Sequence, residues 1–193
     1  MAHHRYQTEG IIFGSYPRGE SNKAYAIFSR DFGMIYAAAQ GVRNSASKLR
    51  SNVSNFNHAR LDLIRGKDMW RLVDADSISG ARALPLPAER ACARAARIIR
   101  RLMRGERQEP RLFADIILFI EFIRVHETRQ SLTRAAEIAI AMRTLAELGY
   151  GGEGEIWRTF GENSFSEFLV GEAAERKSDC VRLINARLAE THL

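Results

Sequence analysis

A short basic stretch is the part of this sequence whose residue types most directly indicate chemistry. Arg43, Lys48 and Arg50 lie close together and are interleaved with Ser and Asn. The sequence contains neither Asp nor Glu from Phe32 to Arg60, so the positive charge of this stretch is not compensated locally. Guanidinium and ammonium groups with hydroxyl and amide neighbours suit the phosphate oxygens of a nucleic acid. The stretch therefore predicts a phosphate-binding loop.

Further side chains could extend this predicted surface. The additional basic residues are Lys23, Lys67 and Arg71. Four aromatic residues could stack on bases or could instead fill the protein core: Tyr16, Tyr25, Tyr36 and Trp70. Stacking of a base on an aromatic ring contributes about 1–3 kcal/mol, so even one exposed ring would matter for binding.

A second basic surface lies on a predicted helix. Its arginines recur every three or four residues, at Arg90, Arg94, Arg97, Arg101 and Arg104. The opposite stripe of the same helix is apolar and consists of Cys92, Ala95, Ile99, Leu102 and Met103. Such a charged stripe is commonly a solvated face. The alternatives are a second DNA track or a face for an acidic protein tail, because Arg forms paired hydrogen bonds with phosphate and carboxylate groups.

Patterns that indicate catalysis or metal binding are weak. Ser45 and Lys48 have the Ser-x-x-Lys spacing of some serine enzymes, but they lie in a polar stretch without the partner motifs. Asp74 and Asp76 lack a third acidic partner and are typical of solvated side chains. The two cysteines, Cys92 and Cys180, do not form a Cys-x-x-Cys pair. The sequence therefore predicts no catalytic residues, no metal ligands and no cofactor.

The overall charge favours polyanionic partners. The chain has 193 residues, with 29 basic and 23 acidic side chains and a formal net charge of +6. Charge alone does not choose among DNA, RNA and acidic lipid. The most apolar stretch, residues 116–120, is far too short to span a bilayer and is flanked by acidic residues. We therefore expect a cytoplasmic protein without a membrane partner.

The N-terminal part has the pattern of a small β-barrel. Apolar and polar residues alternate with period two, and Gly-containing turns interrupt the alternation. Five strands are predicted, at 10–14, 23–29, 34–40, around Leu61 and Leu63, and at 69–75. Five short strands fit an OB-fold barrel, which commonly binds single-stranded nucleic acid.

The composition changes near residue 80, where an Ala-, Arg-, Leu- and Glu-rich region begins. We predict an OB-fold domain at 1–80 and an all-α helical domain at 81–193, which makes the fold class α+β. The predicted helices lie at 88–104, 110–127 and 131–148, with a last helix from 172. The helix at 110–127 is apolar on most faces and is predicted to be central. Ser164 and Glu167 have capping-box spacing before a short helix.

Several fragments resemble the RecO family of bacterial recombination mediators. They are YQTEGII at 6–12, GESNK at 19–23, SRDFG at 29–33, AQGVR at 39–43 and SKLR at 47–50. The likeness continues more loosely through the first helix, PRLF at 110–113 and LGY at 148–150. Each fragment alone is short, but their order and spacing together are fairly specific.

This resemblance implies a non-enzymatic protein of the bacterial cytoplasm, associated with the nucleoid. It implies binding of single-stranded and double-stranded DNA and annealing of complementary strands. It also implies loading of recombinase, together with RecR, onto DNA coated by single-stranded DNA-binding protein. The acidic tail of that coating protein is an implied partner.

The sequence departs from the family in two places. Many members carry a four-cysteine zinc module after the LGY segment, where this chain has residues 151–154 without cysteine. We therefore expect no zinc. Gln40 occupies a position where the family often has lysine, which removes one charge beside the basic loop.

Two other functional classes remain open at the sequence level. One is an RNA-binding or ribosome-associated OB-fold protein, since stacking and phosphate contacts suit either nucleic acid. The other is a small hydrolase whose acidic or histidine residues converge only in the fold.

Overall fold

The computed structural model describes residues 4–18, 22–40, 49–78, 80, 83–103 and 105–191. The chain forms two compact units. The first consists of Met1–Leu84 with Gly105–Glu109, and the second of Pro85–Arg104 with Pro110–Leu193. The predicted division into two independently folding domains, 1–80 and 81–193, stays a prediction. Among the described residues, no helix has the length and apolar character needed to cross a bilayer.

The first unit is a closed five-stranded barrel with the strand order β1-β2-β3-β5-β4. The strands are β1 (Arg5–Arg18), β2 (Asn22–Ser29), β3 (Gly33–Ala39), β4 (His58–Arg65) and β5 (Trp70–Ser77), and helix α1 (Leu49–Asn52) lies between β3 and β4. All neighbouring strands pair antiparallel except β3 and β5, which pair parallel and close the barrel. This arrangement confirms the predicted OB-fold barrel.

The first strand is much longer than the predicted 10–14. Its first half pairs with β4 and its second half with β2, and Gly10 lies where the two pairings overlap. A Cβ atom at Gly10 would collide with the side chains of Leu61 and Ile27, so glycine is required there. An irregularity between Ile12 and Gly14 shifts the register, which is how one strand follows the curve of a barrel.

Period-two alternation places one set of side chains in the barrel interior. Leu61 and Leu63 are fully buried there, as the sequence predicts. The remaining members of this core are Ile12, Tyr25, Ile27, Ile35, Ala37, Ala39, Val53, Ala59, Trp70, Leu72 and Ala75. The residues between them along each strand therefore lie on the outer face.

The second unit is helical. Its described helices are α2 (Leu86–Leu102), α3 (Pro110–Val125), α4 (Gln130–Glu147), α5 (Glu155–Glu162), α6 (Glu167–Glu175) and α7 (Lys177–Glu190). The apolar stripe predicted on the first of these helices is buried. The prediction that the helix at 110–127 is central was wrong, because α4 packs against α2, α3, α5, α6 and α7. On α3, Leu118 and Val125 are exposed.

The end of the helical unit also differs from the prediction. Helix α5 was not predicted, although its Trp157 and Phe160 are buried. The short helix predicted after Ser164 is α6, and the last helix, predicted from residue 172, begins at Lys177 because residues 172–175 still belong to α6. The capping box was wrong as well, since Ser166 is the N-cap of α6 and makes no side-chain capping hydrogen bond.

A buried ionic network joins α4 to its neighbours. Arg143 is 2% exposed, and its Nε lies 2.8 Å from Oδ2 of Asp115, which is 1% exposed. Its Nη2 lies 2.9 Å from Oε2 of Glu147, and its Nη1 donates to the Gly161 carbonyl at 3.1 Å. The Phe165 N–H donates to Oδ1 of Asp115 at 2.8 Å. Burial nevertheless raises the pKa of Asp115, because desolvation disfavours its charged form.

Candidate nucleic-acid interface

One row of side chains runs across the outer face of all the strands. Register pairs connect its members in turn, from β1 through β4, β5, β3 and β2 and back to the end of β1. The row consists of Arg5, Ile64, Arg71, Ala38, Ala24 and Tyr16. It therefore has arginines on one side and a tyrosine on the other, with small or apolar residues between them.

Two exposed tyrosines define the next feature, which we call the tyrosine face. Tyr16 on β1 is 41% exposed and Tyr36 on β3 is 45% exposed. The outer residues between them on β1, β2 and β3 are small: Gly14, Ala24, Ala26 and Ala38. Because the tyrosines lie two strands apart and two register positions apart, their Cα atoms are separated by roughly 12 Å. The outer face between the two tyrosines therefore carries small side chains.

The other two candidate aromatics are core residues. Tyr25 is 1% exposed and Trp70 is 3% exposed. Burial raises the pKa of Tyr25 to about 12, because the phenolate would lose its hydration. The structure thus divides the four aromatics into Tyr16 and Tyr36, which are partly exposed, and Tyr25 and Trp70, which fill the barrel.

Arg71 lies between two grooves beside this face. The first, the Arg5 groove, has a volume of about 450 Å³ and is lined by Arg5, Gln40, Leu49, Ile64, Arg71, Leu72, Val73 and Asp74. The second, the Arg18 groove, has a volume of about 300 Å³ and is lined by Arg18, Asn22, Ala38, Ala39, Gln40, Met69, Trp70 and Arg71. The guanidinium of Arg18 contacts the Met69 sulfur. Among the described residues that line either groove, Asp74 is the only acidic one, and arginines outnumber acidic residues in both grooves.

The predicted basic residues are distributed unevenly around these grooves. Arg71 is exposed on β5, and Lys67 is exposed in the turn between β4 and β5. Lys23 shares its register position with buried Ala39, so it lies on the inner side of β2 near the barrel rim. The structure therefore brings Arg71 and Lys67 together on one hairpin and separates Lys23 from them.

The basic loop itself lies outside the described residues. This applies to Arg43 and Lys48, while Arg50 belongs to α1 but its side chain is not described. The residues on either side of the loop are placed, since Gln40 and Leu49 both line the Arg5 groove. The role of the loop arginines and lysine stays a prediction.

Sequence reasoning missed Arg5 and Arg18. Both belong to β1, but they lie beyond the predicted 10–14 strand. Exposed and less exposed positions alternate at the N-terminal end of that strand, from Arg5 to Thr8, so alternation could have found Arg5. The C-terminal end, from Ser15 to Arg18, does not alternate, so the pattern gave no signal for Arg18.

The arginine stripe of α2 is partly engaged inside the helical unit. Arg94 donates to both carboxylate oxygens of buried Glu137, at 2.7 and 2.5 Å. Arg101 donates to the carbonyls of Leu188 and Thr191, at 2.6 and 3.1 Å. Arg90 and Arg97 are exposed, and Arg104 lies outside the described residues. The stripe is therefore not one uniform free face.

A groove of about 1110 Å³ adjoins the first part of this stripe. Its lining includes Leu86, Arg90, Arg94, Arg134 and Lys177, together with Glu127 and Glu137. Glu137 is paired with both Arg94 and Arg134, which leaves an excess of positive charge along the groove. We call it the α2 groove.

The cysteines do not fit a zinc module of the family type. Only Cys92 and Cys180 exist, and each is buried in its own helix, α2 and α7. Burial, with a smaller contribution from the nearby Glu137 carboxylate, raises the pKa of Cys92 to about 12. Two buried thiols on separate helices do not supply the four cysteine ligands of such a module.

Comparison with known proteins shows a family similarity that covers the barrel. The family model described as "Recombination protein O N terminal" matches residues 1–81, which contain the whole barrel. Curated proteins named "DNA repair protein RecO" are also similar to the chain. Residues 1–81 of this chain are therefore similar to the N-terminal part of RecO proteins. The tyrosine face and both grooves lie in the part that matches the RecO N-terminal model.

The similarity to individual RecO proteins is moderate and partial. The protein from Gloeothece citriformis is 30% identical over 73 residues, which are 38% of this chain and 26% of that protein. The protein from Frankia casuarinae is 29% identical over 150 residues, 76% of this chain and 60% of that protein. The protein from Bifidobacterium adolescentis is 30% identical over 94 residues, 49% of this chain and 38% of that protein. The matched regions thus span about a quarter to three fifths of these relatives.

Proposed function

We propose that this chain is a non-enzymatic DNA repair protein of the RecO family. It binds single-stranded and double-stranded DNA, anneals complementary strands and helps RecR to load recombinase. The observation that carries the proposal is the tyrosine face, with Tyr16 and Tyr36 exposed beside the two grooves around Arg71. The names of the curated RecO relatives support the assignment to DNA repair.

The proposed mechanism combines stacking with charge neutralisation. Tyr16 and Tyr36 stack on bases without regard to sequence, because every base has a π-face. Arg5, Arg18 and Arg71 hold the phosphate backbone as it passes the grooves. Neutralising the phosphates of two strands lowers their mutual repulsion, which lets complementary strands approach and pair.

The basic loop and its neighbours supply the remaining charge in this proposal. Arg43, Lys48 and Arg50 contact phosphates, helped by Lys67 on the β4–β5 turn and by Lys23 at the barrel rim. Gln40 and Leu49 lie in the Arg5 groove, so the described flanks of the loop adjoin the proposed backbone path.

A fluorescence-anisotropy titration of a labelled single-stranded DNA oligomer tests the proposal. We expect binding that weakens steeply with salt, followed by accelerated pairing when the complementary strand is added. The triple variant Arg43→Ala, Lys48→Ala, Arg50→Ala should bind every sequence more weakly and show a flatter salt dependence. The control is Arg158→Ala, which removes an exposed arginine from the helical unit.

Two results would contradict parts of this proposal. No binding at low salt would refute the DNA-binding function. Unchanged binding by the triple variant would remove the loop from the interface. An RNA oligomer that competes much better than DNA of the same sequence would favour the RNA-binding alternative, since RNA is distinguished through its 2′-hydroxyl.

The α2 groove supports a second part of the proposal, the binding of the acidic tail of single-stranded DNA-binding protein. Arg90 and Lys177 are exposed there, and Leu86 is 59% exposed at the groove edge. Cationic walls with an apolar edge fit a peptide that carries both acidic and apolar side chains. This site uses only the first part of the arginine stripe.

Charge reversal tests the tail site. Arg90→Glu should weaken binding of a labelled acidic tail peptide, whereas Arg158→Glu, which makes the same charge change in α5, should not. Equal affinity of the Arg90→Glu variant and the unmodified protein would end this part of the proposal and leave DNA binding by the barrel unaffected.

A further inference from the structure

The segment Gly105–Glu109 belongs to the barrel unit although it lies between helices α2 and α3 in the sequence. Gly33, at the start of β3, has φ of +65°, and a Cβ atom there would collide with the backbone carbonyl of Arg107. Arg107 in turn pairs with buried Glu109, with Nε 2.8 Å from Oε1. The segment therefore lies directly on the barrel surface.

One carboxylate of this segment is held by two donors of the barrel. Oε2 of Glu106 lies 2.9 Å from Nη2 of Arg65, and Oε1 accepts a hydrogen bond from the Trp70 indole N–H at 2.8 Å. The Arg65 guanidinium also lies 5.1 Å from the centre of the Trp70 ring. We call these two donors the Arg65–Trp70 site.

The chemistry of the Arg65–Trp70 site suits a phosphodiester as well as a carboxylate. Both anions present two oxygens that share a negative charge, and a guanidinium with an adjacent N–H donor can bind both oxygens at once. The Arg65 side chain is 59% exposed and the Glu106 side chain 35% exposed. Exposed ion pairs of this kind are weak, so an incoming anion can replace the carboxylate.

The position of the site connects it with the proposed DNA path. Arg65 is the last residue of β4 and Trp70 the first of β5, so they flank the turn that carries Lys67. Trp70 also lines the Arg18 groove, next to Arg71. A DNA strand that follows this groove would therefore reach Trp70, the residue that the groove shares with the Arg65–Trp70 site.

We propose that Glu106 is an internal competitor for a nucleic-acid phosphate at the Arg65–Trp70 site. This inference rests on the proposed DNA-binding function of the barrel. In the free protein the carboxylate neutralises Arg65 and covers the Trp70 N–H. When DNA binds, a phosphate takes the place of the carboxylate, and Arg65 becomes an additional DNA contact.

Substitution of Glu106 tests the inference. Glu106→Gln keeps the size of the side chain and an acceptor for the Trp70 N–H but removes the charge. Asp68→Asn is the matched control, because it removes one negative charge from the exposed turn of the same hairpin. The readout is the anisotropy of a labelled oligothymidylate at low salt. We expect Glu106→Gln to bind about five-fold more tightly than Asp68→Asn, which corresponds to one surface ion pair.

Two further variants test whether the gain in DNA affinity depends on Arg65 and whether the bound DNA changes the surroundings of Trp70. Adding Arg65→Ala to Glu106→Gln should abolish the extra affinity. The chain contains two tryptophans, so Trp157→Phe leaves Trp70 as the only one, and its emission should change when DNA binds to the Glu106→Gln protein.

The outcomes separate this inference from the proposed function. Equal affinity of Glu106→Gln and Asp68→Asn, a gain that persists without Arg65, or an unresponsive Trp70 emission would each overturn the competitor role. Those results would leave DNA binding by the unmodified protein standing. DNA binding only after Glu106→Gln would support the competitor and refute the function proposed for the unmodified chain, and no binding by either protein would refute both.

Discussion

Truncating the two exposed tyrosines is the most direct perturbation of the proposed interface. Stacking contributes about 1–3 kcal/mol per base. Tyr16 is 41% and Tyr36 45% exposed, so less than half of each side chain is available and the lower part of that range applies. Each Tyr→Ala change should therefore cost about 1–1.5 kcal/mol, or roughly five- to twelve-fold in affinity. Because the rings lie on separate strands, the double variant should lose about 2–3 kcal/mol, some 30- to 150-fold.

The assay is anisotropy of a labelled single-stranded oligomer at several salt concentrations. Loss of stacking should lower the affinity and leave the salt slope unchanged, whereas Arg71→Ala should lower both. Tyr36→Phe should bind normally because it keeps the ring. Phe168→Ala, which removes an aromatic side chain that is 57% exposed on α6, is the control outside the barrel. A double variant that binds within two-fold of the unmodified protein, with its barrel intact by circular dichroism, would refute stacking on the tyrosine face.

Three further predictions concern stability and reactivity. Arg143→Met should destabilise the helical unit by about 3–5 kcal/mol in urea unfolding, because it leaves Asp115 buried without its cation. Burial already raises the pKa of Asp115, and loss of Arg143 raises it further. The loss of stability in the variant should therefore shrink as the pH falls and the carboxyl binds a proton, and a loss that does not change with pH would contradict this. Cys92 and Cys180 are both buried, so a thiol reagent should titrate them only on unfolding, and rapid reaction in the native protein would contradict their placement. Gly33→Ala should lower the unfolding midpoint, since it combines a φ of +65° with a steric clash; an unchanged midpoint would show that the Gly105–Glu109 segment can move away at no cost.

The barrel was predictable because its signal is local. Alternation along each strand places Leu61 and Leu63 in the core without knowledge of the neighbouring strands. The same pattern could not show that Tyr25 is buried and Tyr36 exposed. Which side of a strand faces inward depends on the register around the closed barrel. The length of β1 was missed for a similar reason, since its two halves pair with different strands.

The central helix was not predictable from hydropathy alone. Helix α3 is the more apolar segment, yet α4 occupies the centre. The alanines of α4, such as Ala136 and Ala139, let neighbouring helices approach closely. Arginine is usually exposed, but Arg143 on this helix is buried, and Asp115 neutralises its charge. The partners of Arg94 and Arg101 likewise come from α4 and from the C-terminal end of α7, which no local pattern could identify.

The Gly105–Glu109 segment has a practical consequence for dissecting this protein. A fragment that stops at the predicted boundary of residue 80, or at Leu84, would lack a piece of the barrel unit that arrives later in the sequence. Such a fragment would expose the Trp70 indole N–H and free Arg65, and its affinity for DNA would exceed that of the same surface in the intact chain. Adding a synthetic peptide of residues 105–109 should lower the affinity of the fragment for DNA towards that of the intact chain. The barrel unit is thus assembled from two separate pieces of the chain.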